Sequence, residues 1–304
     1  MGVKEPRSGL LMGAAAYFLW GLFPLYWPLL APASSAEALA HRFVWSMAFV
    51  LLLLVLTRRL AHFRAIWTDA RRVAFLAVAS VVIALNWGFF IWGVTHGRVI
   101  ETSLGYFINP LVTVMLGVFV LGENLRRWQW AAVGIGGVAV AVLTFDYGRP
   151  PWIALVLAGS FATYGFLKKQ ARLGALESLG AETLLLAPVA LAFLLWLESQ
   201  GRGTFGHAGA TNALLLAGTG VVTAIPLLLF GGAATRLSLT TLGILQYLGP
   251  ALQFLFGLTI FHEPMSGAAW VGFVLVWLAL AIFTFDALRH HRRLLRQTVE
   301  SAAT

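Results

Sequence analysis

The sequence predicts an all-α integral membrane protein of ten transmembrane helices, arranged as two inverted five-helix repeats. Three observations carry that prediction: the composition, the spacing of apolar runs, and a set of residues that recurs between the halves. Of 304 residues, 60% are hydrophobic and only 11% charged, with 12 Trp and 22 Phe. A soluble domain carries about 25% charged residues, and mean hydropathy here is +0.84. A soluble fold cannot cover so much apolar side chain, so soluble enzymes, nucleic-acid binders and disordered regulators are excluded. The absence of Cys removes disulfide frameworks and thiolate metal sites.

Apolar runs of spanning length, about 17–25 residues, lie near 9–30, 37–56, 73–94, 101–121 and 128–145, then 151–167, 179–197, 211–233, 239–261 and 267–285. Lys4 and Arg7 precede the first run and Ala31-Pro32-Ala33 resembles a cleavage site. The run nevertheless exceeds the ~7–15-residue core of a signal peptide, so it is read as a span. The longest connections, near 57–72 and 198–210, read as loops, and no extramembrane domain is expected.

Orientation follows from the cations. With the N-terminus inside, cytoplasmic segments hold Lys4, Arg7, Arg58, Arg59, Arg64, Arg71, Arg72, Arg126, Arg127, Lys168, Lys169, Arg172, Arg236, Arg289, Arg292, Arg293 and Arg296. Outer segments hold only Arg98, Arg149 and Arg202, and Arg42 stays within a span. This positive-inside bias predicts that both termini are cytoplasmic. It accounts for most of the net charge of +9, and it makes the Arg289–Arg296 cluster a topology anchor. No nucleic acid is expected as a partner; the lipid bilayer and a small-molecule substrate are.

The repeat is read from landmarks. Pro110, Gly117, Glu123, Trp130 and Thr144-Phe145-Asp146 recur 140 positions later as Pro250, Gly257, Glu263, Trp270 and Thr284-Phe285-Asp286. Upstream the offset falls by two, so that Arg98 and Leu104-Gly105 match Arg236 and Leu242-Gly243, while Trp20-Gly21 faces Tyr164-Gly165 at a different offset. Five spans per copy is an odd number, so the second copy enters from the opposite side. The expected organisation is a first repeat at 1–147, a second at 148–288 and a basic cytoplasmic tail at 289–304. Inverted repeats are a common architecture of secondary transporters, with the substrate site near the midplane between the halves.

No G-x-x-x-x-G-K-[ST] loop, H-E-x-x-H pair or nucleophile elbow occurs. No catalytic residues, metal site or cofactor are therefore expected. Polar groups inside spans are costly and become the functional candidates. Arg42, about six residues into the second span, is read as contacting a substrate anion or a carboxylate, against snorkelling or local pairing with Glu37 or Glu101. His41 beside it and Glu182 in span seven are the candidates for proton coupling, Glu182 also reading as an acid held by Lys168, Lys169 or Arg172. Arg98 and Arg236, at matching span starts, suggest a gate pairing; the local alternative for Arg98 is Glu101. Asn86, Asn109, Gln246 and Gln253 are uncharged polar groups deep in spans, read as cavity lining. Pro110 and Gly249-Pro250 are expected to interrupt their helices there. Tyr17, Trp20 and Tyr106 offer an aromatic face and a polar tip to an amphiphilic ligand. Glu123 and Glu263 read as turn or capping groups.

The stretches AYFLWGLFPLYW at 16–27, ALAHRFVWS at 38–46, NWGFFIWGVTHGRVIETSLGYFINPLV at 86–112 and LGILQYLGP at 242–250 closely resemble the RarD family, in the EamA branch of the drug/metabolite transporter superfamily. The resemblance covers essentially the whole chain. It implies a bacterial inner-membrane protein with a central cavity lined by spans 1–4 and 6–9, spans 5 and 10 being peripheral. It also implies a permease; such proteins carry the label chloramphenicol-sensitive, and relatives export amino acids and other metabolites. The expected function is a secondary exporter of small amphiphilic metabolites or drug-like compounds. The alternative is a non-transporting sensor or assembly partner on the same scaffold. Homodimer and monomer are equally consistent with the sequence.

Overall fold

The computed structural model describes residues 7–303 other than 123 and 172. Expected roles for Lys4, Glu123 and Arg172 lie outside the described residues, as do the side chains of Lys169, Arg292, Arg293 and Arg296. All ten apolar runs are helical. Among the described residues eight helices are long and apolar enough to cross a membrane, a bent pair makes a ninth if it counts as one span, and Trp152–Lys168 is apolar but shorter. The protein is an all-helical, multi-pass membrane protein.

The first run is α1 (Arg7–Gly21), then α2 (Phe23–Tyr26) and a 3₁₀ turn, Trp27–Leu30. The two parts meet at 42°. Pro24 lacks an N–H and its ring opposes the carbonyl four residues back, at Trp20, which breaks the helix there. Next comes α3 (Ser35–Leu56), whose start is fixed by Ser34 Oγ accepting the Glu37 N–H at 3.2 Å. The segment expected as a loop near 57–72 contains α4 (Leu60–Ala65) and a 3₁₀ turn, where Phe63 and Ile66 are buried. Asp69 caps α5 (Ala70–Thr95) by accepting the Arg72 N–H at 3.0 Å.

Beyond these lie α6 (Val99–Leu121), α7 (Arg127–Tyr147), α8 (Trp152–Ala171), α9 (Ala175–Ser199) and α10 (Gly209–Ala234). The ninth run is split into α11 (Leu239–Leu245) and α12 (Leu248–Thr259), and α13 (Gly267–Ala303) carries the basic tail as a continuation of its helix. The two expected proline interruptions differ. Pro250 opposes the carbonyl of Gln246, where α11 ends, whereas α6 runs unbroken through Pro110.

Packing then assembles the site. α3 lies between α9 and α10, α1 packs on α10, α8 on α5 and α6, α12 on α6 and α1, and α7 on α13. The α3–α10 contact is backbone to backbone. A Cβ on Gly220 would stand 2.4 Å from the Trp45 carbonyl oxygen, so only glycine allows this approach. It brings Thr223, one turn on, within reach of Arg42. Gly105 plays the same part between α6 and α8, 2.8 Å from the Ala154 carbonyl oxygen.

Candidate functional site

Polar residues on α3 fall at helical spacing in two adjacent pairs, Glu37 with His41 and Arg42 with Ser46, the members of each pair four residues apart. All four are buried. Arg42 is 2% exposed and lies among rings from α2, the 3₁₀ turn and α5. Its Cζ is 3.7 Å from the Trp87 ring centroid, 5.1 Å from Trp27 and 5.5 Å from Phe23. Its Nε donates to Thr223 Oγ1 at 2.8 Å. Among the described residues it pairs with no carboxylate. Glu37, the first local alternative, accepts from the Thr204 N–H and hydroxyl at 2.7 and 2.9 Å. Glu101, the second, is held by Arg149 at 2.7 Å and Arg98 at 3.5 Å. The Glu101 carboxylate in turn raises the Arg149 pKa, chiefly through its hydrogen bond.

His41 faces away from this centre. Its Nδ1 accepts from Trp45 Nε1 at 3.3 Å, its ring stacks at 5.0 Å on Phe205 of the α9–α10 connection, and its Nε2 is buried without a partner. Tyr106 and Asn86 form a separate bridge. The Tyr106 hydroxyl donates to Asn86 Oδ1 at 3.1 Å, and Asn86 Nδ2 donates to the Leu157 carbonyl and to Ser160 Oγ, both at 3.0 Å. Both ends of the Asn86 amide are thus engaged, joining α5, α6 and α8.

Glu182 makes a second charged centre. It is 1% exposed and receives three donors: Lys168 Nζ at 2.9 Å, the Tyr164 hydroxyl at 2.8 Å and Ser178 Oγ at 3.0 Å. Tyr17 and Trp20 pack edge to face at 5.3 Å and both meet Phe230 of α10. Gln253 Nε2 donates to the Trp20 carbonyl at 3.2 Å, leaving its buried Oε1 unpartnered, as is Asn109 Oδ1. Gln246 caps α11 while Gln253 lies inside α12, so the two sit on different helical segments.

The cations at the span starts are local. Arg98 is the N-cap of α6 and pairs with Glu101. Arg236 donates to the Gly232 carbonyl at 2.7 Å and to the Thr235 hydroxyl. Glu263 accepts from the Val99 and Ile100 N–H groups at the start of α6, the latter at 2.8 Å. Burial raises its pKa against the opposing pull of those bonds. Sequence reasoning missed Thr223. Its signal was present in Thr219 and Thr223, two hydroxyls one turn apart in an apolar helix, but the partner lies 181 residues away.

The whole chain has close relatives. It is 56% identical over 300 residues to the Protein RarD of Streptomyces exfoliatus, covering 99% of this chain and 95% of that one. The model of the EamA-like transporter family matches residues 7–145. The chain belongs to the EamA-like transporter family, among the RarD proteins. A second EamA-like relative is an uncharacterized transporter, YojE, of Bacillus subtilis (strain 168), 41% identical over 95% of this chain and 97% of that one. A crystal structure of a protein only 19% identical superposes with a TM-score of 0.61 over 93% of this chain and 99% of that chain; that likeness concerns the fold alone. As an EamA-like protein, the chain is a membrane transporter.

Proposed function

We propose that the protein is a secondary exporter of small amphiphilic metabolites or drug-like compounds in the bacterial inner membrane, working by alternating access. On this reading it has ten spans in two inverted five-helix repeats, 1–147 and 148–288, with both termini and the 289–304 tail cytoplasmic. One observation carries the reading. Arg42 is a buried cation at a seam between the halves, bonded to Thr223 of α10 and, among the described residues, to no carboxylate. A charge of that kind inside a span is expensive and marks a substrate or gating site.

Reciprocal contacts support the repeat. Asp286 accepts from Arg126, the residue before α7, with the closer contact at 2.6 Å, while Asp146 accepts from Ser266, the residue before α13, also at 2.6 Å. Arg126 and Ser266 are themselves 140 apart, as are Asp146 and Asp286. In this reading the Tyr17–Trp20 seam, Tyr106, Asn86, Asn109, Gln246 and Gln253 line the route. Arg98 and Arg236 serve gating, and His41 or Glu182 couples movement to protons.

The test is exchange of labelled compound by purified protein in vesicles, in right-side-out and everted orientation, with and without a pH gradient. Export predicts uptake into everted vesicles. Proton coupling predicts that the double variant His41→Gln, Glu182→Gln loses its dependence on the gradient; unchanged dependence rejects both residues as carriers.

A further inference from the structure

Arg42 raises a question of electroneutrality. Among the described residues it takes part in no ion pair. The rings of Trp87, Trp27 and Phe23 attract the guanidinium through their quadrupoles, which offsets only part of the cost of holding a charge out of water. Hydrogen bonding is incomplete too. Arg42 Nη1, Trp27 Nε1 and Ser46 Oγ are all buried without a partner. Trp27 is 1% exposed and Ser46 0%, so water does not complete them from the surface.

The three atoms are related in space. The Trp27 ring centroid is 5.1 Å from Arg42 Cζ, and Ser46 follows Arg42 by one turn on the same face of α3. The two nitrogens only donate, and the hydroxyl has a proton to give. What this pocket lacks is an acceptor that carries negative charge. Thr223 already occupies Nε, which leaves the Nη1 side of the guanidinium open.

We propose, resting on the transporter reading above, that the substrate is an amphiphilic organic acid whose carboxylate docks here. One carboxylate oxygen accepts from Arg42 Nη1 and the other from Trp27 Nε1, with Ser46 as a third donor, and the apolar body lies among the surrounding rings. A carboxylate fits better than a phosphate. One positive charge and few donors balance a monoanion with two oxygens, whereas a dianion would keep surplus charge and unmatched acceptors. A neutral carbonyl would accept these bonds without balancing the charge, and a cation would leave both buried N–H groups unpaired.

The experiment uses the full chain in detergent and then in vesicles. Thermal stabilisation is measured with 4-phenylbutyrate, its amide and its amine, and with a series of alkyl and aryl acids. The acid is expected to bind roughly tenfold or more tightly than the amide, the usual weight of a charge-assisted hydrogen bond. Trp27→Phe keeps the ring and removes the N–H, so it should lower acid affinity about tenfold and amide affinity by less, a neutral acceptor making the weaker bond. Arg42→Gln should abolish the preference for acid; if it does not fold, Arg42→Lys, which keeps the charge but loses the guanidinium fork, should lower acid affinity about tenfold. Equal binding of acid and amide overturns the proposal, as does an acid preference that survives in Trp27→Phe and Arg42→Gln, an acid affinity unchanged in Arg42→Lys, or no response to any acid. The transporter reading is tested separately, because vesicle exchange of the amide, the amine or chloramphenicol would keep it standing.

Discussion

Arg42 in α3 and Glu182 in α9 are both ionisable and both almost wholly out of solvent, yet they are housed in opposite ways. Glu182 is surrounded by donors from its own neighbourhood in sequence: Ser178 one turn back, and Tyr164 and Lys168 on the preceding helix. Arg42 has one hydroxyl and three aromatic faces, and keeps an N–H with no acceptor. A buried charge whose partners are complete is part of the protein's own architecture. A buried charge whose partners are incomplete is stable only marginally, and it has something to gain from a visitor. The same contrast bears on coupling, because a carboxylate that carries protons must first leave Lys168.

The comparison breaks most readily at Glu182. Replacing it with Leu strands Lys168, and thermal unfolding in detergent should show a loss of about 3 kcal/mol, the low end for a broken buried pair because Lys168 reaches partly to solvent. The double variant Glu182→Leu, Lys168→Met should recover most of that loss. If the single variant is as stable as wild type, the pair is not structural and the contrast fails.

At Arg42 the order of effects is reversed. Arg42→Gln loses cation–π attraction but is relieved of desolvation, so stability should move by no more than about 1 kcal/mol. Vesicle exchange should fall tenfold or more, about 1.4 kcal/mol in the barrier. A large stability loss with intact exchange would make Arg42 the structural residue of the two. Thr223→Val removes the one hydrogen-bond partner of Arg42 and is expected to cost about 1–2 kcal/mol, with a shift in apparent substrate affinity as the guanidinium loses its orientation. Tyr164→Phe is the mildest probe. Lys168 and Ser178 still serve Glu182, so about 1 kcal/mol of stability and no change in exchange are expected.

How far these centres can be read in sequence depends on the range of the forces that build them. Span positions follow from hydropathy because each helix closes its own hydrogen bonds, and the breaks after Trp20 and at Gln246 follow from a proline four residues downstream. Pro110 obeys the same covalent rule yet leaves α6 whole, because a packed helix can absorb one missing donor. The burial of Arg42 is legible, since a cation eight residues into an apolar helix has few places to go. Its surroundings are not. Trp27 and Trp87 are two aromatics among many, and Thr223 meets Arg42 only because Gly220 lets two backbones touch. Asn86 shows the same limit: the sequence places a deep amide, but not the Tyr106, Leu157 and Ser160 partners that hold it.

The contact between Arg126 and Asp286 has a consequence for how the chain is made. Its partners are 160 residues apart, and Val99 is 164 residues ahead of the Glu263 that accepts its N–H. At about 5–20 residues per second, a ribosome takes roughly 8–32 s to cover such a distance. Throughout that interval the entrances to α6 and α7 stand without the groups that complete them, and they are finished only as the last helix is inserted. The starts of α6 and α7 are therefore completed late, by groups that the ribosome delivers near the end of synthesis.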